Sequence, residues 1–192
     1  MDKFFGNLHA VLGAGLVLAI ALMFGLHGDY VSAPAVLRWL HLFFGIVWIG
    51  LLYYFNFVQI PTMPSVPAEL KPGVSKYIAP KALFWFRWGA AFTVLTGLAV
   101  AAHPVKGGAS YLVEALTLDA NYRLIGVGMW LALIMAFNVW FVIWPAQKKA
   151  LGLVEADDAA KAKAAKTAMI FSRTNTLLSI PMLYAMVSAN HG

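Results

Sequence analysis

His41 is the residue whose type and spacing best suit it to chemistry. It lies inside an apolar run, with Arg38, Gly45, Trp48 and Leu52 around it at steps of three and four. A helix places all five on one face. Neutral imidazole is a common axial ligand of haem iron. A glycine one turn along leaves room for a flat macrocycle. Arg38, one turn further out, could meet a propionate as a charge-assisted pair. The pattern makes His41 the candidate iron ligand of a b-type haem, with Arg38, Gly45 and Trp48 beside it. It also fits a histidine hydrogen-bonded between helices, with Gly45 as a packing contact.

A b-type haem usually takes a second axial ligand. His27, His103 and His191 fall at the ends of apolar runs on the same side as His41, and His9 at the opposite side. His103 and His27 rank first, because His191 is two residues from the end of the chain. Met182 and Met186, four apart, could reach the same level. The arginines form two layers: Arg38 and Arg123 at the outer boundary, Arg87 and Arg173 near the inner one. Snorkelling to headgroups accounts for any one of them. Arg87 and Arg173 sit deeper, so carbonyls, lipid phosphate or an anionic ligand must serve as partners. Trp39, Trp85, Trp88 and Trp144 fit an interfacial belt. Trp48 and Trp130 lie deeper and need an acceptor for the indole N–H.

Some chemistries are excluded. All eight Asp and Glu residues fall in loops or the N-terminal tail, so no apolar run carries a carboxylate. Proton- and ion-coupled transporters usually place one near the midplane. The absence of cysteine removes disulfides, thiolate metal sites and covalent haem attachment. The net charge of +6 is spread between apolar runs and not gathered in a patch with aromatics, so no nucleic-acid partner is expected.

The elements that must hold these residues are membrane helices. The chain is 61% hydrophobic and 11% charged, with a mean hydropathy of +0.76. A soluble domain carries roughly 25% charged residues. Five runs are long enough to cross about 30 Å of hydrocarbon: residues 8–26, 35–58, 82–102, 123–144 and 168–189. The first has signal-peptide features, with Val31-Ser32-Ala33 shaped as a cleavage site, but Pro34 argues for keeping it as a span. Lysines crowd the tail and the 59–81 and 145–167 loops, whereas the 27–34 and 103–122 loops hold only Lys106. The lysine-rich side should face the cytoplasm. The expected fold is an all-α integral membrane protein of about five transmembrane helices in one domain, 1–192. Its N-terminus is cytoplasmic and its C-terminus periplasmic, across an inner membrane. The proline-rich stretch after span two cannot be one continuous helix. Asp157 or Asp158 should cap the helix leading into span five. Pro181 frees the carbonyl of Leu177 and makes span five a candidate cavity wall.

Four segments resemble the membrane domain of the cytochrome-c-linked urate hydroxylases, the urate oxidase N-terminal family. They are LRWLHLFFGIVWIGLLYYFNF (37–57), WFRWGAAFTVLTG (85–97), AFNVWFVIWPAQKKALG (136–152) and NTLLSIPMLYAMVSANHG (175–192). The turn Pro145-Ala146-Gln147-Lys148-Lys149 and the run LSIPMLYAMVSANH are the most specific. The resemblance implies a multi-helix inner-membrane domain linked, through a periplasmic cytochrome c, to oxidation of urate to 5-hydroxyisourate. It carries over His41, Trp48, Arg87, Trp88, Asn138, Gln147, Asn175, Pro181, Asn190 and His191. The chain reads as a short stand-alone relative without the cytochrome domain. It departs from the family pattern at Gly89, where an acid is expected, and at Thr174, where a histidine is expected.

Three functional expectations follow. The first is a membrane redox protein with haem b on His41, passing electrons to a periplasmic cytochrome c. The second is an accessory subunit of a larger membrane oxidoreductase complex, or a homo-oligomer. The third is urate hydroxylation itself, with arginines binding the anion.

Overall fold

A computed structural model describes residues 2–28, 31–102 and 110–189. His103, Lys106, Asn190 and His191 lie outside the described residues. The described residues are helical throughout, apart from short connections. After a helical turn at Asp2–Phe5, the elements are α1 (Leu8–His27), α2 (Ala33–Ser65) and α3 (Lys71–Ala101). A short α4 (Tyr111–Leu116) follows, then α5 (Arg123–Ala150) and α6 (Asp158–Ser188).

Four helices, α1, α2, α3 and α5, are long and apolar enough to cross a membrane. α6 has 31 residues, about 46 Å at 1.5 Å per residue, but falls short in hydropathy. Its sequence explains why. Ser172, Asn175 and Ser179 are polar and buried against neighbouring helices, whereas Leu177, Ile180, Tyr184 and Val187 are exposed. Mean hydropathy counts both faces equally, so an inward polar stripe hides an outward apolar one.

The chain divides into two compact units, Met1–Leu37 and Arg38–Gly192. In the first, the Asn7 side chain accepts from the amides of His9 and Ala10 at 3.0 and 3.3 Å and caps α1. No α1 side chain is buried. The second unit has a core of Trp48, Leu52, Phe55, Phe86, Met135 and Val139, drawn from α2, α3 and α5, with Met182 from α6.

Polar ties join the helices of this core. Tyr53 on α2 donates to Ser179 on α6 at 3.0 Å, because the Ser179 hydroxyl itself donates to the Thr176 carbonyl at 2.7 Å. Asn56 Nδ2 donates to Ser172 Oγ at 2.8 Å. Between α5 and α6, Asn138 Nδ2 donates to Asn175 Oδ1 at 2.9 Å, and Asn175 Nδ2 donates to the Met135 carbonyl, also at 2.9 Å. Such bonds matter where lipid gives helices no hydrophobic reason to associate. Asn175→Ala leaves both Asn138 Nδ2 and the Met135 carbonyl buried without this partner. It should destabilise by about 1–3 kcal/mol, read as a lower unfolding midpoint in detergent.

Proline shapes the backbone. π-helical stretches at Tyr54–Gln59, Val74–Ile78 and Asn138–Ile143 each end just before Pro61, Pro80 and Pro145. A proline lacks the N–H and clashes with the carbonyl four residues back. A locally wider turn relieves both faults. The proline-rich segment breaks as expected, but over residues 66–70 alone. Of the two candidate caps, Asp157 serves: its carboxylate accepts from the Ala160 amide at 2.7 Å.

Candidate functional site

α2 and α3 run antiparallel along the face that carries His41. Opposite it, α3 presents Gly89, Thr93 and Gly97 at a spacing of four, one row of a helix surface. A Cβ on Gly97 would meet His41 Cε1 at 2.8 Å and Nδ1 at 3.0 Å. A Cβ on Gly45 would meet Thr93 Cγ2 at 3.9 Å, and one on Gly89 would meet the Trp48 amide nitrogen at 3.2 Å. Gly97 thus opens the slot in which the imidazole lies. Gly89 lets the two backbones approach, whereas a methyl at Gly45 would make only ordinary contact with Thr93.

The ring is held by one short bond. His41 Nδ1–H donates to the Thr93 carbonyl at 2.8 Å. That carbonyl also accepts from the Thr96 hydroxyl at 3.2 Å. With the proton on Nδ1, Nε2 of the neutral ring carries the lone pair, and it has no hydrogen bond among the described residues. A backbone carbonyl on one nitrogen is the usual support for a ligand on the other.

The remaining candidates are distributed unevenly. Trp48 is 1% exposed, and its Nε1 is buried without a partner. Trp130, by contrast, finds its acceptor in the Leu116 carbonyl at 3.0 Å. Arg38 and Arg123 are exposed. His27 is exposed and belongs to the first unit. Within the second unit His41 is the only histidine among the described residues, because His103 and His191 lie outside them. Met182 is buried in the core.

Tyr111, Asn121 and Tyr122, which the sequence reading passed over, line a groove of about 330 Å³ with Leu124, Ile125, Ser188 and Ala189. The two tyrosine rings meet edge to face at 5.0 Å. Burial pushes the Tyr111 phenol up, the neighbouring Tyr122 adds to this, and the charge of Arg38 opposes it. Tyr111 therefore stays a neutral hydrogen-bonding group near pH 7, within electrostatic reach of Arg38. At the other end, a cavity of about 40 Å³ is lined by Gln59, Gln147 and Ser172 among apolar side chains. Gln59 Oε1 is buried there without a partner. Room and acceptors suit ordered water.

Residues 105–192 match the urate oxidase N-terminal family. Comparison with curated proteins and with solved structures returned no match. The matched segment covers α4, α5 and α6. It holds six of the positions the resemblance carried over: Asn138, Asn175, Gln147 and Pro181, with Asn190 and His191 outside the described residues. The two tyrosines of the outer groove fall within it as well. His41, Trp48, Arg87 and Trp88 precede the urate oxidase N-terminal segment, so the match bears on the α5–α6 pair and not on the His41 slot.

Proposed function

We propose that the chain is a five-span inner-membrane redox protein that holds a b-type haem through His41. In this reading electrons pass to a cytochrome c on the outer side. The observation that carries it is the Nδ1–H donation to the Thr93 carbonyl, which leaves Nε2 as the free donor atom. The fit to haem rests on His41 itself, with exposed Arg38 one turn outward for a propionate. Gly45 and Trp48 are already engaged with α3. When bound, the haem would supply one-electron transfer. The protein would fix the tautomer of the ligand, keep water from the inner side of the ring, and set the charge near the propionates.

The five-span topology is supported by the outward apolar face of α6 and its inward polar one. The lysine-rich connections support an N-terminus on the cytoplasmic side. The reading is tested by a reduced-minus-oxidised visible spectrum of the purified protein. A Soret shift on reduction, reversed by added cytochrome c, is expected. A featureless spectrum after growth with ample haem would overturn it.

A second reading, an accessory subunit of a larger membrane complex, is favoured by α1. That helix has no buried side chain in its own unit, which suits a helix awaiting a partner. Copurification from native membranes with a larger oxidoreductase would support it, and a stable, redox-active lone chain would exclude it. Urate hydroxylation, suggested by the family match, is decided by an assay of urate loss with added cytochrome c.

A further inference from the structure

A second polar site lies between α3 and α5, on a row that His41 does not share. Trp140, Trp144 and Lys148 follow at steps of four, so they line one face of α5. Arg87 of α3 is laid against that row. Its Cζ is 3.4 Å from the centroid of the Trp144 ring and 5.8 Å from that of Trp140. The Trp140 indole donates to the Arg87 carbonyl at 3.2 Å, which fixes the backbone as well. Lys148 Nζ reaches the same Trp144 ring at 5.8 Å.

Two cations therefore share one indole. Cation–π contact favours each of them, but it does not neutralise either. Arg87 Nε and Nη1 are buried without a hydrogen-bond partner. The ion pair seen among the described residues, Lys161 with Asp158, is elsewhere. An uncompensated guanidinium at membrane depth is costly. What it lacks is an anion with several acceptor oxygens. Phosphate matches the fork of arginine and accepts a point charge from lysine. The surroundings suit a lipid: Trp88 packs edge to face on Trp140 at 5.5 Å, and Phe84, Phe137 and Phe141 are exposed on the same two helices.

We infer that Arg87, Trp144 and Lys148 form a binding site for a phosphate-bearing anion at the lysine-rich border of the bundle. An anionic phospholipid headgroup or a soluble phosphate would supply it. The site does not depend on haem at His41. The test is native mass spectrometry of the full chain in detergent, titrated with phosphatidylglycerol, phosphatidylcholine or inorganic phosphate. The wild type should retain phosphatidylglycerol in preference to phosphatidylcholine. Arg87→Gln and Lys148→Gln should each weaken retention roughly tenfold, the scale of one charged hydrogen bond. Arg173→Gln, an exposed cation on α6, should leave it unchanged. Displacement of the lipid by millimolar inorganic phosphate would identify a soluble source for the same site. Equal retention by wild type, Arg87→Gln and Lys148→Gln would overturn the inference, as would an equal loss in Arg173→Gln. Should Arg87→Gln fail to fold, Lys148→Gln carries the test, because that side chain is only half-buried.

Discussion

Gly97→Ala is expected to displace the His41 imidazole and, with it, the proposed haem. The new methyl would stand 2.8 Å from Cε1 and 3.0 Å from Nδ1, well inside van der Waals contact. The α3 backbone cannot retreat cheaply, because Gly89 and Thr93 of the same row are in contact with α2. The ring is the part that can move, and moving it breaks the bond to the Thr93 carbonyl. Loss of such a supporting bond typically costs 10–100-fold in affinity for a bound metal. Haem retained per chain, read from the Soret band at limiting haem, should fall by about that factor. The fold should survive, because no core side chain is removed. Gly50→Ala, on α2 but facing open space, is the control. It should retain haem, and it should gain slightly in helix propensity.

Gly126→Ala should cost more in stability than any other single methyl added to the bundle. A Cβ there would overlap the carbonyl oxygen of Ala115 and come within 2.9 Å of its carbonyl carbon. Ala115 cannot yield easily. It is buried at 0% exposure and sits at the end of α4, where the amide of Leu118 donates to that same carbonyl at 3.1 Å. The Asp119 amide closes the turn on Glu114 at 3.0 Å, and Leu118 takes a left-handed φ of 59°, the usual way for a helix to stop. Both partners in the clash are thus backbone. Overpacking of this kind costs about 1–3 kcal/mol, occasionally more. At roughly 2–4 °C per kcal/mol for a chain of this size, the unfolding midpoint should drop by about 2–12 °C. Circular dichroism in detergent would show it. The same shift should disturb the Tyr111–Tyr122 groove, since Ile125 lines it.

The sequence was legible wherever one residue's neighbours along the chain decide the outcome. Apolar runs marked α1, α2, α3 and α5, and the proline-rich stretch marked a break. The histidine face of α2 was legible as a face, since helical spacing alone defines it. What covers that face was not, because a partner helix is a tertiary fact. A signal did exist: Gly89, Thr93 and Gly97 form a small-residue stripe in WFRWGAAFTVLTG, the kind that lets helices approach closely. Matched in reverse against Trp48, Gly45 and His41, it predicts the observed contacts. The outer groove was hidden for a different reason. Tyr111 and Tyr122 lie on a short helix and a turn, and only packing brings their rings together. α6 shows the limit of averaging. Asn175 and Ser179 lower its hydropathy, yet they are the residues that bind it to α5 and α2.

The most direct test is the haem content of purified wild type against His41→Ala, measured by pyridine haemochrome and normalised to protein. The ring is half-buried and bonded to one carbonyl, so its removal should leave the bundle folded. Haem bound by the wild type and lost from a folded His41→Ala chain is the predicted result. A wild type free of haem after growth with ample haem, or a His41→Ala chain that retains it, would contradict the assignment.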